Sequence, residues 1–316
     1  MFHAPTPNAA LFLAGIFGLL AIAGGVVFLL RRAHPDRDYT ELSARVNSWW
    51  VMAGVFAAAM ALDRALSLVF LAFVSFLALK EYFSLIPTRR ADRRVLFWAY
   101  LAIPVQFWWV HLGWYGMFII FIPVYLFLLL PLRMVLIGET SGFLRAAGGL
   151  HWGLMLTVFN LSHMAFLLAL PEGANPAGGG AGLVLFLMFL TQFNDVAQYV
   201  WGKTLGRFKV KHAIIPKVSP KKTWEGFIGG VATTTLMAWL LAPYLTPLAG
   251  WEGPAAGLLI GLAGFVGDVN ISALKRDLGI KDSGSLIPGH GGILDRVDSL
   301  TFTAPLFFHF LYYLHY

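Results

Sequence analysis

Long apolar runs alternate with short polar segments along the whole chain. Ten runs approach or reach the length that an α-helix needs to cross a membrane. They cover Ala9–Leu30, Trp49–Leu62, Ala65–Leu79, Val95–Val110, Tyr115–Leu130, Leu150–Leu170, Leu183–Trp201, Phe227–Leu245, Ala255–Leu274 and Ser299–Tyr313. The second to fourth runs are short, so tilted helices, re-entrant helices or helices extended into their flanks remain open for them. The pattern predicts an all-α polytopic integral membrane protein with about ten spans.

Composition agrees with this fold class. Of the 316 residues, 58% are hydrophobic and 12% are charged, whereas soluble domains carry about 25% charged residues. This composition disfavours the alternative of a soluble protein with buried helices. The absence of cysteine excludes disulfides and thiol chemistry. We expect a single membrane domain over residues 1–316, with less specific helices in 1–180 and the helices and loops that carry motifs in 181–316.

Basic residues indicate how the spans are oriented. The loops after the first, third, fifth, seventh and ninth runs hold four, five, two, seven and four Lys or Arg residues, whereas the loops after the even-numbered runs hold only Arg64. The positive-inside rule places the basic loops in the cytoplasm and both termini outside. The net charge of +7 then reflects these loops, and no aromatic-basic motif predicts nucleic acid as a partner. The N-terminus lacks the basic segment of a signal peptide, so we expect the first run to be retained.

One polar segment, residues 272–298, interrupts the apolar pattern near the C-terminal end. It holds four basic residues, four acidic residues and a His-Gly-Gly sequence. Just upstream, Asp268 shares a helix face with Ser272 and Lys275, because these residues are spaced i, i+4 and i+7. Carboxylates bind a hard divalent cation such as Mg²⁺, the cation bridges phosphates, and basic side chains neutralise the remaining phosphate charge. The segment therefore favours a ligand that carries phosphates.

The same segment resembles the signature of the phosphatidate cytidylyltransferase (CDP-diacylglycerol synthase) family. That signature reads S-x-apolar-K-R, four residues, K-D, a Gly/Ser stretch, P-x-H-G-G and then apolar-x-D-R-apolar-D. The matching positions are Ser272, Lys275, Arg276, Lys281, Asp282, Pro288, His290, Gly291, Gly292, Asp295, Arg296 and Asp298. So many fixed polar positions in so short a segment argue against a chance match.

A second stretch that resembles the family surrounds Asp195, inside the seventh apolar run. An acid within a membrane helix is costly and is a candidate functional residue, although a solvated acid at the helix end is the alternative. The family usually shows Asp, two small residues, Ala-Tyr, two apolar residues and Gly-Lys. Tyr199, Gly202 and Lys203 match this pattern, whereas Val196-Ala197-Gln198 departs from it. The departure indicates a divergent branch of the family.

A third stretch is the basic loop SPKKTWEG, residues 219–226, which resembles the family's S-P-K-K-T-x-E-G. Its lysines precede a helix start, where free N–H groups also bind anions. The candidate ligands of CTP are Ser219, Lys221, Lys222 and Thr223. The alternative is positive charge that only sets the topology. For Lys209, Lys211 and Lys217, attraction to anionic lipid headgroups is the favoured interpretation.

The resemblance implies transfer of CMP from CTP to phosphatidate, giving CDP-diacylglycerol and pyrophosphate. It implies that Asp268 and Asp295 bind Mg²⁺, and that Lys275, Arg276 and Arg296 stabilise phosphate charge. The backbone of Gly291 and Gly292 can approach an anion closely. For Asp298, catalysis and a favourable helix-dipole contact remain equal alternatives. His290 is either a phosphate donor or a turn residue, and zinc is disfavoured because no cysteine or second nearby histidine completes a site.

Other functions remain open from the sequence. A related CTP-dependent membrane enzyme could act on another lipid, as a CDP-archaeol synthase or a polyprenol kinase does. A lipid or anion transporter would explain Asp195 but not the two clusters of acids and lysines. We expect an integral protein of the bacterial inner (plasma) membrane with its active site on the cytoplasmic side; a homodimer is left open. Glu81, which follows the end of the third run, resembles a Glu that the family has at that place, but the sequence assigns it no role.

Overall fold

Ten long helices account for most of the protein. The computed structural model describes residues 5–61, 63–205, 213–284 and 291–316. In chain order, α1 to α10 cover Pro7–Ala33, Thr40–Ala61, Arg64–Leu85, Arg93–Leu112, Tyr115–Val135, Phe143–Leu167, Gly179–Leu205, Trp224–Leu245, Glu252–Asp277 and Leu300–His315. α5 and α6 each contain one π-helical stretch, Phe121–Leu126 and Met155–Phe159. The predicted all-α polytopic fold class is confirmed.

Short elements connect some of the long helices. A two-stranded antiparallel hairpin precedes α8; its strands are β1, Ala213–Ile215, and β2, Ser219–Thr223, and it pairs Ala213 with Thr223. A one-turn helix, Leu294–Val297, precedes α10. Single 3-10 turns lie at Arg90–Asp92 and Glu172–Ala174. The hairpin was not predicted from the sequence, because its basic residues give no alternating apolar pattern.

The three short apolar runs belong to helices of ordinary length. α2, α3 and α4 have 22, 22 and 20 residues, because each extends into its polar flank. Eight of the described helices are long and apolar enough to cross a membrane. α2 and α10 fall outside that set: α2 begins in a polar segment, and α10 has 16 residues. The count of ten spans therefore stays a prediction.

Contacts between helix ends show which ends lie together on each of the two sides of the protein. On one side the contacts are Asn8 with Tyr244, Arg64 with His111, Asn175 with Leu245, Tyr115 with Tyr313, and Glu252 with His315. On the other side they are Arg89 with Ser141, Arg276 with Val218, and Glu81 with Leu294. Successive helices thus run in opposite directions. The two motif-bearing stretches after α7 and α9 consequently lie on the same side, as the distribution of basic residues predicts.

A buried amide joins the helices that carry the motifs. The Asn194 side chain in α7 donates to the Gly261 carbonyl of α9 at 3.2 Å and accepts from the Thr234 hydroxyl of α8 at 3.2 Å. Asn194 is fully buried, and hydrogen bonds of this kind hold helices together where lipid provides no hydrophobic driving force. The contact fixes α7, α8 and α9 against each other one residue before Asp195.

Candidate active site

The ends of α7, α8 and α9 enclose a cleft of about 220 Å³ on the side of the basic loops. Its lining consists of Asp195, Gln198, Tyr199, Ser219, Lys221, Lys222, Thr223, Gly226, Phe227 and Asp268. Asp268 and residues from two of the stretches singled out in the sequence, those around Asp195 and SPKKTWEG, therefore meet in one place. The cleft combines carboxylates, lysines and a helix N-terminus, which is the chemistry that binds a nucleotide phosphate together with a divalent cation.

An ion pair crosses the cleft from β2 to α9. Lys222 Nζ lies 2.6 Å from Asp268 Oδ2, and both side chains are partly buried. The same ammonium lies 4.8 Å from the centre of the Phe265 ring, within the range of a cation–π contact. The Ser272 hydroxyl donates to the other oxygen, Asp268 Oδ1, at 3.1 Å. The predicted i, i+4 contact on α9 is thus present, and both Asp268 and Lys222 have defined orientations.

The remaining residues of the SPKKT stretch surround this ion pair. Thr223 is the N-cap of α8, and its hydroxyl oxygen accepts from the Gly226 N–H at 3.2 Å. Ser219 and the exposed Lys221 line the cleft. The cap places the first turn of α8 at the cleft, so its positive dipole end adds to the two lysines.

Three carboxylates interact electrostatically with each other, and two of them line the cleft; we call Asp195, Asp268 and Asp298 the acidic cluster. Asp195 interacts electrostatically with Asp268, Lys222 and Arg296. Asp298, which lies between the one-turn helix and α10, interacts with Asp268 and Asp195. Burial, followed by repulsion from these two acids, raises the pKa of Asp298 well above its ordinary value. Asp298 is therefore near enough to Asp195 and Asp268 to interact with them electrostatically, and its catalytic role stays a prediction.

The acidic cluster fits a hard divalent cation. Asp195 Oδ2 lies 3.0 Å from the Ser299 hydroxyl, but Oδ1 is buried and has no hydrogen-bond partner in the described parts of the chain. Within those parts, no group of three or more His, Asp or Glu side chains is arranged so that it could hold a metal ion by itself. Mg²⁺ is commonly bound by one or two carboxylates together with substrate phosphates. The arrangement therefore agrees with a Mg²⁺ site that becomes complete only when the phosphates of the substrate bind.

Asp295, the predicted second metal ligand, is engaged by three donors. Its Oδ1 accepts from Lys275 Nζ at 2.7 Å, and its Oδ2 accepts from the backbone N–H groups of Ser283 at 2.8 Å and Gly292 at 3.1 Å. Burial raises the pKa of Asp295, but these hydrogen bonds outweigh burial and hold the pKa below its ordinary value. In this structure Asp295 orients Lys275, and its role as a metal ligand stays a prediction.

The predicted glycines and arginines have different surroundings. Gly291 has a backbone φ of +82°, in the left-handed region that favours glycine, while the Gly292 N–H already binds Asp295. Arg276 donates to the carbonyls of Val218 at 3.2 Å and Ile280 at 3.1 Å, so it holds the hairpin against the end of α9. The Nε of Arg296 is buried without a partner among the described residues, near Asp195. His290 lies outside the described residues.

Gln198 is a cleft residue that the sequence did not single out as a site. It follows Asp195 by one helical turn, is 9% exposed, and its Nε2 has no partner among the residues that the structure describes. The only signal in the sequence was an amide at a position where the resembling family usually shows alanine. A buried unpaired amide at a binding cleft is a potential hydrogen-bond donor to a ligand.

Comparison with known sequences agrees with the chemistry of the cleft. The cytidylyltransferase family is matched by residues 43–314 of the chain. The chain belongs to this family. As a member of the cytidylyltransferase family it is an enzyme, a nucleotidyltransferase, as the sequence analysis predicted. The match includes all of the described cleft residues.

The chain is also similar in sequence to individual proteins. The chain is 46% identical over 301 residues to the uncharacterized protein YnbB of Escherichia coli (strain K12), covering 95% of this chain and 97% of YnbB. It is 45% identical over 147 residues to a phosphatidate cytidylyltransferase of Synechocystis, covering 45% and 48% of the two chains. It is 39% identical over 153 residues to that of Brucella suis, covering 48% and 54%. The matches to these two enzymes span about half of their length.

Proposed function

We propose that the protein transfers CMP from CTP to phosphatidate, forming CDP-diacylglycerol and pyrophosphate. The observation that carries this proposal is the Lys222–Asp268 ion pair at a cleft that also contains Asp195 and the N-terminus of α8. The family membership supports CTP as the donor. The names of the Synechocystis and Brucella relatives support phosphatidate as the acceptor.

The cleft residues have distinct roles in this reaction. Lys221, Lys222 and the first turn of α8 bind the phosphates of CTP. A phosphate oxygen of phosphatidate attacks the α-phosphorus in line, and the bond from that phosphorus to the bridging β-phosphate oxygen breaks as pyrophosphate leaves. Lys275, held by Asp295, and Arg296 stabilise the negative charge that develops on the leaving group. The acceptor already carries its nucleophilic oxygen, so no protein nucleophile is required.

Asp268 and Asp195 are the residues best placed to hold Mg²⁺. Both residues line the cleft, whereas Asp295 does not, and Asp195 Oδ1 has no hydrogen-bond partner among the described residues. The oxygens of Asp268 and of Asp295 all have polar partners, so the position at the cleft is what favours Asp268. When bound, Mg²⁺ neutralises charge on the CTP phosphates and orients them. The alternative is the pair of Mg²⁺ ligands that the resemblance implies, Asp268 and Asp295. The two alternatives predict different effects of an Asp195 substitution on the Mg²⁺ concentration that the enzyme needs.

A lipid acceptor is supported by the apolar surface beside the cleft. Tyr199 lines the cleft and is 65% exposed, and its neighbours Val196 and Val200 on α7 are 55% and 48% exposed. Such a surface on a membrane helix faces lipid acyl chains. A headgroup in the bilayer could therefore reach the cleft while its acyl chains stay beside α7. We place the cleft on the cytoplasmic side of the bacterial inner membrane, because the basic loops surround it.

A panel of acceptors tests the lipid specificity. Purified protein with Mg²⁺ is given phosphatidate, an archaetidic-type ether lipid phosphate or a polyprenol, each in the same detergent. CTP is labelled either at the α-phosphate, which reports CMP transfer, or at the γ-phosphate, which reports phosphorylation of the polyprenol. We expect labelled CDP-lipid with phosphatidate at a rate at least about tenfold above the other two acceptors, since one poorly fitting group commonly changes kcat/KM by that factor. Preference for the ether lipid or for the polyprenol would contradict phosphatidate as the substrate, and the unpartnered amide of Gln198 would then be the first residue to test.

A further inference from the structure

One acid from the N-terminal half of the protein contacts the signature segment. Glu81 lies near the end of α3, and its two carboxylate oxygens accept hydrogen bonds from the backbone N–H of Ile293 at 2.9 Å and of Leu294 at 3.0 Å. The Ser283 hydroxyl donates to the same carboxylate. Glu81 is about 200 residues from these donors in the sequence. It therefore joins α3 to residues on both sides of positions 285–290.

These contacts continue to Lys275 through a second carboxylate, that of Asp295. The Ser283 hydroxyl donates a hydrogen bond to Glu81, and the Ser283 backbone N–H donates one to Asp295. Asp295 also accepts from the Gly292 N–H and from Lys275 Nζ. Glu81, Ser283, Asp295 and Lys275 thus form one connected set of hydrogen bonds. A shift of Glu81 would move the donors that fix Asp295 and, through Asp295, the ammonium of Lys275.

The backbone at this contact is shaped around the Glu81 carboxylate. A Cβ atom placed on Gly292 would overlap Glu81 Oε1, and one placed on Gly284 would lie 3.1 Å from Oε2. Glycine at position 292 is therefore required for this approach. The carboxylate also lies at the N-terminus of the one-turn helix Leu294–Val297. Its oxygens accept hydrogen bonds there from N–H groups that have no partner within the helix.

We propose that Glu81 is a positioning residue for the cytidylyl transfer. Its carboxylate holds the two parts of the signature segment that flank positions 285–290, so that Asp295 keeps Lys275 directed to the reacting phosphates. This inference rests on the proposed function, because it assigns Lys275 to phosphate charge. It also gives the N-terminal helices a role in the active site, although the recognisable motifs lie between residues 195 and 298.

The exchange Glu81→Gln tests the carboxylate without changing its size. Ile293 and Leu294 donate to different oxygens, so an amide group in either orientation turns an NH₂ towards a backbone N–H. We expect kcat to fall at least about tenfold while KM for CTP and for phosphatidate stays within about twofold, because misplaced catalytic groups affect the transition state more than binding. In the double variant with Ser283→Ala, the loss should be smaller than the product of the single losses, since both act in one network.

Ser84→Ala is the matched control, because the exposed Ser84 hydroxyl donates to the Glu81 backbone carbonyl and has no other partner among the described residues. This variant should keep wild-type kinetics. Hydrogen exchange supplies a readout that does not depend on the reaction. In Glu81→Gln the amides of residues 291–297 should exchange faster, while those of residues 224–230 in α8 stay protected. Unchanged kcat and unchanged exchange, or a loss of kcat that is matched by a general loss of thermal stability, would overturn the positioning role. If the wild-type protein forms no CDP-lipid, the proposed function is wrong. Hydrogen exchange in Glu81→Gln then still tests whether Glu81 holds residues 291–297 in place.

Discussion

The variant Asp268→Asn should lose almost all CDP-lipid formation, with kcat at least about 1,000-fold below the wild type, as is typical when a charge that acts in the transition state is removed. Asp268 pairs with Lys222 at 2.6 Å and faces the cleft. The amide is neutral, so it leaves the Lys222 ammonium unpaired and is a weaker ligand for Mg²⁺. Turnover of purified protein, measured over a range of Mg²⁺ concentrations, checks this result.

Asp277→Asn is the control, since Asp277 lies at the exposed end of α9 and outside the cleft. It should keep wild-type turnover, and all variants should insert normally into the membrane. Comparison of Asp195→Asn with Asp295→Asn then separates the two metal pairings. We expect the Asp195 variant to need more Mg²⁺ for half-maximal activity and the Asp295 variant to lose kcat at unchanged Mg²⁺ dependence. Wild-type turnover and Mg²⁺ dependence in Asp268→Asn would contradict the role of Asp268.

The variant Lys222→Ala should have a KM for CTP about 10- to 100-fold higher, because hydrogen bonds to charged groups contribute about 1.5 to 3 kcal/mol. Its ammonium is directed into the cleft by Asp268 and by the Phe265 ring. Lys221→Ala should have a smaller effect in the same direction, since this side chain is exposed at the cleft. Kinetics with CTP varied at saturating phosphatidate measure both effects.

Lys217→Ala is the matched control, because Lys217 belongs to the same hairpin, is exposed and does not line the cleft. It should leave the KM for CTP unchanged. If Lys221→Ala and Lys222→Ala also keep wild-type kinetics and alter only membrane insertion, the lysines serve topology alone.

The helices could be predicted from the sequence because each apolar run falls largely within one helix. Their bounds could not, since a helix continues into polar flanks wherever its backbone hydrogen bonds and caps allow it, as α2 does from Thr40. Local spacing was also informative on α9. It predicted that Asp268 and Ser272 share a helix face, and in the structure a hydrogen bond joins the two side chains.

Contacts between distant segments were beyond such local reasoning. Asp295 was predicted to bind metal, and only the folded structure shows that Lys275 and two backbone N–H groups already engage it. Arg276 was predicted to stabilise phosphate, but it holds the hairpin through the carbonyl of Val218. The role of Glu81 depends on donors about 200 residues away, so no local pattern could reveal it.

Following the α-phosphate and the γ-phosphate of CTP into the products tests the proposed reaction most directly. Purified protein with Mg²⁺ and phosphatidate is incubated with CTP labelled either at the α-phosphate or at the γ-phosphate, with Asp268→Asn as the inactive reference. CMP transfer predicts that the α-label enters the lipid and that the γ-label leaves as pyrophosphate, in equal amounts. Label from the γ-phosphate in the lipid, with CDP as the other product, would contradict CMP transfer and would identify a kinase.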